Sequence, residues 1–333
     1  MNWQKSLKGD SLSWLLEPDP VNPSVRYFAL RDLLDRAEDD PELRRAREEL
    51  MSTGPIPAIL AAQHPEGYWG KSGSGYSPKY RGTVWQIIFF AELGADPEDE
   101  RVHRGCEYLL SYNLAPTGAF SANRPPRPSG VLHCLNGNLL SALFRLGYAD
   151  DPRVQAALTW QIRAITGEGE IDYYQSGTSG PGFACGVNLG QPCGWGAIKA
   201  IKALSAIPPT QCTPPVQRAI EAGVEFLLGH DPAKADYPYT ERVSGTWFKF
   251  GFPLSYWSDV LEITAVLATL GYGRDPRLAN AFQFILEKQD AQGRWKLENS
   301  LKGKMWVDIE QRGKPSKWIT LRVLRVLKQR GTT

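Results

Sequence analysis

Leu93-Gly94-Ala95-Asp96-Pro97 ends one helical run and announces another, and the same punctuation returns along the chain. It recurs as Leu146-Gly147 with Asp151-Pro152 and as Leu270-Gly271 with Asp275-Pro276; Asp40-Pro41 marks an earlier copy, and Ile207-Pro208 with Pro214-Pro215 a weaker one. Glycine at a helix end takes the left-handed conformation that stops the helix. Aspartate before proline caps the next helix, and proline is tolerated in a first turn because it has no N–H to leave unpaired. Pro41, Pro97, Pro152, Pro214 and Pro276 lie 55 to 62 residues apart, a step that suits a helical hairpin and exceeds a short solenoid repeat.

Each unit contains two kinds of helix. The one after the proline is amphipathic, with stripes Val154, Leu158, Ile162, Ile165, then Val216, Ile220, Val224, Leu227, then Leu278, Phe282, Ile285. The one before the glycine is apolar on more sides, as in Val84 to Phe90 or Asn138 to Phe144, and wants neighbours all round. The apolar type is expected near Ser24–Asp35, Gly82–Gly94, Asn136–Gly147, Gly194–Ile207, Ser258–Gly271 and Ser316–Gln329. Six such helices inside, alternating with five or six amphipathic ones outside, predict an all-α fold, an α/α6 toroid. It forms one domain over 1–333, with 1–20 as an N-terminal extension. The glycine-rich stretch Gly167–Cys193 is too long for a plain connector and reads as a functional loop.

Composition narrows the function. The 333 residues are 42% hydrophobic and carry net charge +2, with 38 Lys+Arg against 36 Asp+Glu. That balance speaks against nucleic acid as a partner. Eleven Trp, 13 Tyr and 12 Phe call for a deep core or a cavity to line. No apolar run approaches the roughly 20 residues of a transmembrane segment. Five Cys are too few and odd in number for a disulfide framework, and the expected compartment is the cytoplasm.

Two segments carry a further signature: Gln63-His64-Pro65-Glu66-Gly67-Tyr68-Trp69 and Gln289-Asp290-Ala291-Gln292-Gly293-Arg294-Trp295. Both read Gln-x-x-x-Gly-x-Trp, and a degenerate copy spans Asn113 to Phe120. The motif resembles the QW repeat of squalene and other triterpene cyclases, which recurs loosely in protein prenyltransferase β subunits. The resemblance implies the α/α toroid of that superfamily, with an active site in the central cavity and an apolar isoprenoid as its small-molecule partner. Two departures stand against a direct transfer of activity. The Asp-x-Asp-Asp proton donor of class II cyclases is absent, and so is the Asp-x-Cys pair with a distant His that binds zinc in prenyltransferases.

If inner and outer helices alternate up and down, all inner helices start on one rim, which favours anions and thiolates. His133 and Cys134 precede the third inner helix, Cys185 and Cys193 lead into the fourth, and Asp259 starts the fifth. Cys134, Cys185, Cys193 and Asp259 therefore make a candidate zinc site, with His133 as an alternative fourth ligand. Buried cysteine also packs as a small hydrophobe, the role expected of Cys106. Asp259 has two further readings: a catalytic acid, or an ordinary helix cap beside Ser258. Tyr27, Trp85, Trp195, Trp257 and Trp318 near the same rim are candidate substrate-binding rings, with Arg81 as an anion holder. Lys302 to Arg312 read as a lid. The expected function is a terpene cyclase- or prenyltransferase-like enzyme acting on an isoprenoid or other apolar substrate, with zinc as cofactor. The alternative is a non-catalytic toroid whose cysteine-rich zinc site is structural and whose surface binds a partner.

Overall fold

The computed structural model describes residues 3–239 and 243–332. Fourteen α-helices are named here in chain order: α1 (Ser11–Leu16), α2 (Pro23–Phe28), α3 (Pro41–Ser52), α4 (Pro55–Leu60), α5 (Thr83–Leu93), α6 (Glu100–Tyr112), α7 (His133–Arg145), α8 (Pro152–Thr166), α9 (Ile171–Tyr174), α10 (Gly194–Leu204), α11 (Pro214–Leu228), α12 (Val260–Leu267), α13 (Ala279–Glu287) and α14 (Lys317–Thr332). Wider turns extend α2 through Ala29–Leu33 and α12 through Ala268–Tyr272. The inner ring is α2, α5, α7, α10, α12 and α14, with α14 packing back on α2 to close it. Outside stand α3, α6, α8, α11 and α13. The fold is an α/α toroid.

The N-terminal segment is part of this ring. Helix α1 packs against both α14 and α2, with Leu15 fully buried, and so fills the outer position where the first and last inner helices meet. Two ribbons of two-residue strands are the named sheet structure: Ser179–Gly180 with Ala184–Cys185, and Trp295–Lys296 with Pro315–Ser316.

The expected punctuation does its work. Gly94, Gly147 and Gly271 all take positive φ at helix ends. Asp40, Asp151 and Asp275 cap α3, α8 and the turn before α13 by accepting backbone N–H groups. One boundary moves: α6 is capped by Asp99, not by Asp96-Pro97, and Asp96 instead pairs with Arg47 at 2.9 Å. Arg101, Arg153 and Arg277 each fold back on the capping aspartate two residues earlier. The stripes proposed for the outer helices are buried except for half-buried Ile162.

Inner helices approach closely where the sequence permits it. A Cβ on Gly137 would stand 2.3 Å from the backbone of Lys199, so α7 and α10 touch main chain to main chain. The two Gln-x-x-x-Gly-x-Trp segments are joints between outer and inner layers. Trp69 and Trp295, both fully buried, donate their indole N–H to the carbonyls of Ile59 and Ile285, ten residues earlier in each case. Their backbone N–H groups donate to Thr83 and Thr320 on inner helices, both at 3.1 Å. The degenerate copy repeats the joint, with Phe120 in the tryptophan place and its N–H donating to Asn136 of α7 at 2.8 Å.

Candidate functional site

The carboxyl ends of all six inner helices converge on one chamber of about 810 Å³, lined by residues including Tyr27, Glu92, Arg145, Lys202, Glu262 and Arg325. The inner helices therefore run the same way. Their short turns surround this chamber, and the long connections 61–82, 113–132, 167–193, 229–239 with 243–259, and 288–316 gather at the opposite mouth. Long connections on a rigid scaffold are where function concentrates.

The chamber carries a network of charges beside apolar lining from Phe28, Leu146, Leu254 and Val266. Lys199 binds Glu262 at 2.5 Å; Lys202 bridges Glu92 at 2.6 Å and Glu262 at 3.4 Å; Arg145 adds to Glu92 at 3.7 Å. Beyond them, Arg325 and Arg31 share Asp32. Burial alone would raise the carboxyl of Glu92, but Lys202 and Arg145 outweigh it and hold the group ionised. Glu262 is likewise kept ionised against its burial by Lys199 and Lys202. Five carboxylates, Asp32, Asp35, Glu38, Glu92 and Glu262, line the chamber, and Glu92 and Glu262 are held ionised by their cationic neighbours. Inner-helix charges neutralise one another across it and brace the ring. A recess of about 900 Å³ on the outer wall between α8 and α11 holds no comparable cluster.

The mouth is different. Cys134 sits in the first turn of α7, which starts at His133, three residues before the expected Asn136, and Cys193 caps α10 by accepting the Gly196 N–H at 3.4 Å. Cys185 faces it from the glycine-rich loop. The Cys193 thiol and the backbone N–H groups of Val187 and Asn188 lie beside the Cys185 sulfur. Their polarity outweighs burial and brings Cys185 down to about 6, in the thiolate range, while Cys185 and burial push Cys193 up. Burial raises Cys134 to about 11. All three are half-buried and close enough to feel one another's charge. Around them stand the half-buried rings of Tyr76, Trp195, Tyr239 and Tyr256. Trp195 meets Tyr256 edge-on at 6.0 Å, and Lys79 lies 4.0 Å over the Tyr256 ring. Trp195 Nε1 and Tyr239 Oη are buried and have no hydrogen-bond partner. Each such group costs on the order of 1–3 kcal/mol if nothing pairs with it.

Several expected site residues are placed elsewhere. Asp259 does cap α12, accepting the Glu262 N–H at 2.7 Å, and it takes both amino groups of Arg322 at 3.1 and 3.2 Å and the Gly251 N–H at 3.1 Å. Its oxygens are committed, so neither a ligand nor an acid role is left to it. His133 is fully engaged too: Nε2 donates to the Gly180 carbonyl and Nδ1 accepts from Gln161, both at 2.8 Å. Among the described residues no group of three or more His, Cys, Asp or Glu is disposed to hold a metal ion. The donor set does not fit a resident zinc. Of the rings, Trp85 and Trp318 are core, donating to the Tyr76 carbonyl and to Asn22; Trp257 is buried over Gly251, and Tyr27 lines the charged chamber instead. Trp195 alone of the five is at the mouth and half-open. Arg81 anchors the segment 301–313 across the rim, since Trp306 Nε1 donates to its carbonyl at 3.0 Å and its guanidinium lies 5.4 Å from the Trp306 ring. Cys106 is core, as expected.

Sequence reading passed over Glu92, Lys199, Glu262 and Arg322. For Glu92 and Glu262 the signal was there, since each is the one charge in an otherwise apolar helix, where ionised groups survive only when paired; Lys199 shares α10 with Lys202, and Arg322 is one of several cations on α14. Tyr76, Tyr239 and Tyr256 lie in long connections, where no periodicity marks them.

No family model and no curated protein sequence matches the chain. Similar solved structures include a protein from Actinoplanes (14% identity, TM-score 0.45, 93% of this chain and 90% of that one). They include an unsaturated glucuronyl hydrolase specific for heparin (10%, 0.48, 94% and 86%). A single-residue variant of the type II terpene cyclase MstE from Scytonema is also similar (16%, 0.38, 83% and 75%). The fold assignment rests on the helix order itself, and these likenesses carry nothing on substrate. No described helix is long and apolar enough to cross a membrane.

Proposed function

We propose that the chain is an enzyme that works at the long-loop mouth on an apolar, isoprenoid-like molecule bearing an oxygen function. Trp195, Tyr76 and Tyr256 lie against its hydrocarbon part, Trp195 Nε1 and Tyr239 Oη hold its oxygen, and Cys185 is the nucleophile. The observation that carries this reading is the pair of orphaned polar atoms, Trp195 Nε1 and Tyr239 Oη, beside half-open rings and a thiolate. Rings supply area for an apolar chain, and buried donors without partners are costly unless a ligand completes them. Zinc supplies no step in this scheme.

Titration with farnesol, read by tryptophan fluorescence, tests the assignment. Trp195→Ala is expected to weaken binding about tenfold or more, the effect of losing a ring contact and a hydrogen bond. Arg145→Gln, in the charged chamber, is expected to leave affinity unchanged. Binding that is insensitive to Trp195 but lost in Arg145→Gln contradicts it.

A further inference from the structure

Cys185 and Cys193 occupy opposite segments of one antiparallel turn. Ala184 bridges Pro192, the Cys185 N–H donates to the Gln191 carbonyl at 3.1 Å, and the Cys193 N–H donates to the Phe183 carbonyl at 2.9 Å. In that register Cys185 and Cys193 are diagonal neighbours, and diagonal side chains of a ladder share a face. Each sulfur lies close enough to the other to act on its ionisation. Both are half-buried, so a small solute reaches them. In the connecting turn Val187 and Leu189 are 82% and 78% exposed and Gly190 has open space around it, while Asn188 donates to the Pro192 and Pro238 carbonyls at 2.9 and 3.0 Å. Bringing diagonal cysteines to disulfide separation shifts the exposed part of this turn against those Asn188 bonds.

We propose that Cys185 and Cys193 form a redox-active dithiol that closes to a disulfide with a peroxide as oxidant and reopens with a dithiol reductant. The Cys185 thiolate attacks one peroxide oxygen and the O–O bond breaks. The departing hydroxide takes up a proton and leaves as water, and Cys185 becomes a sulfenic acid. The Cys193 sulfur then attacks the Cys185 sulfur. The S–S bond forms, the S–O bond breaks, and hydroxide leaves with the Cys193 proton as a second water. Two thiols lose two electrons, and one peroxide gains them. Cys193 is the resolving partner because the register places it on the same face of the turn as Cys185, diagonal to it. Cys134 belongs to α7 and Cys212 to the turn before α11, and Cys106 is sealed in the core. The proposal needs no substrate at the mouth and stands apart from the isoprenoid reading.

The test uses the full chain, treated with hydrogen peroxide in slight excess, then alkylated and digested for mass spectrometry. Two of the five thiols are expected to disappear together, with a Cys185–Cys193 linked peptide that dithiothreitol cleaves. Cys193→Ser is expected to stop at a Cys185 sulfenic acid trapped by dimedone, and Cys185→Ser to react at least about tenfold more slowly. Circular dichroism confirms that both variants are folded. A linked peptide containing Cys134, direct passage to sulfinic acid, or an unchanged rate in folded Cys185→Ser overturns the proposal.

Discussion

Lys199 of α10 and Glu262 of α12 meet at 2.5 Å on the axis of the ring, with side chains 0% and 3% exposed. Glu262 lines the charged chamber, and Lys199 is near enough to the mouth for its charge to act on Cys134. The pair thus stands between the two ends of the toroid. Lys199→Met leaves buried Glu262 with only the more distant Lys202 at 3.4 Å, so it is expected to cost about 3 kcal/mol. The double change Lys199→Met with Glu262→Leu should recover much of that loss, because it buries no lone charge. Urea unfolding of the three proteins checks this.

Asp259 and Arg322 tie α12 to α14. Asp259→Asn is expected to destabilise by about 3–5 kcal/mol, since Arg322 is left buried without its counter-charge. Once refolded below its melting temperature, that variant should bind farnesol as the wild type does. Loss of binding without loss of stability would restore Asp259 to the working site.

The two QW glutamines are not equivalent. Gln63 Nε2 donates to the carbonyls of Gly67 at 3.2 Å and Arg101 at 2.8 Å, whereas Gln289 Nε2 has no partner. Gln63→Ala is expected to cost about 1 kcal/mol or somewhat more, and Gln289→Leu to be neutral or stabilising. Thermal unfolding separates the two.

His133 introduces a pH dependence of known sign. Burial depresses it from 6.5 to about 4, so the folded protein holds it neutral. Its contribution is complete above about pH 6.5. It is lost progressively as the pH falls from there toward 4, because only the unfolded chain takes up the proton, and it amounts to roughly 2–3 kcal/mol. His133→Gln should flatten that part of the stability–pH curve measured by denaturant titration.

The toroid was legible because its causes are local. Leu-Gly stops, Asp-Pro starts and apolar stripes repeat along the chain, and the structure departs from them at few places, such as Asp96-Pro97. The QW joints were legible for the same reason, and Trp69 and Trp295 perform one function in two places. The site was legible only in part. Cys134, Cys185 and Cys193 do share the mouth, because common helix direction follows from alternation. Asp259 does not join them, because Arg322, 63 residues away, claims it, and nothing near Asp259 in sequence reveals that partner. The charge network was hidden likewise: each member looks like a stray charge until the ring closes and its partner appears.

The rate at which iodoacetamide alkylates Cys185, measured with and without saturating farnesol, tests the mouth most directly as the place where substrate lies. The account predicts at least about tenfold protection of Cys185, with Cys212 on the outer wall reacting at the same rate throughout. Equal alkylation of Cys185 in the free and farnesol-saturated protein would contradict it.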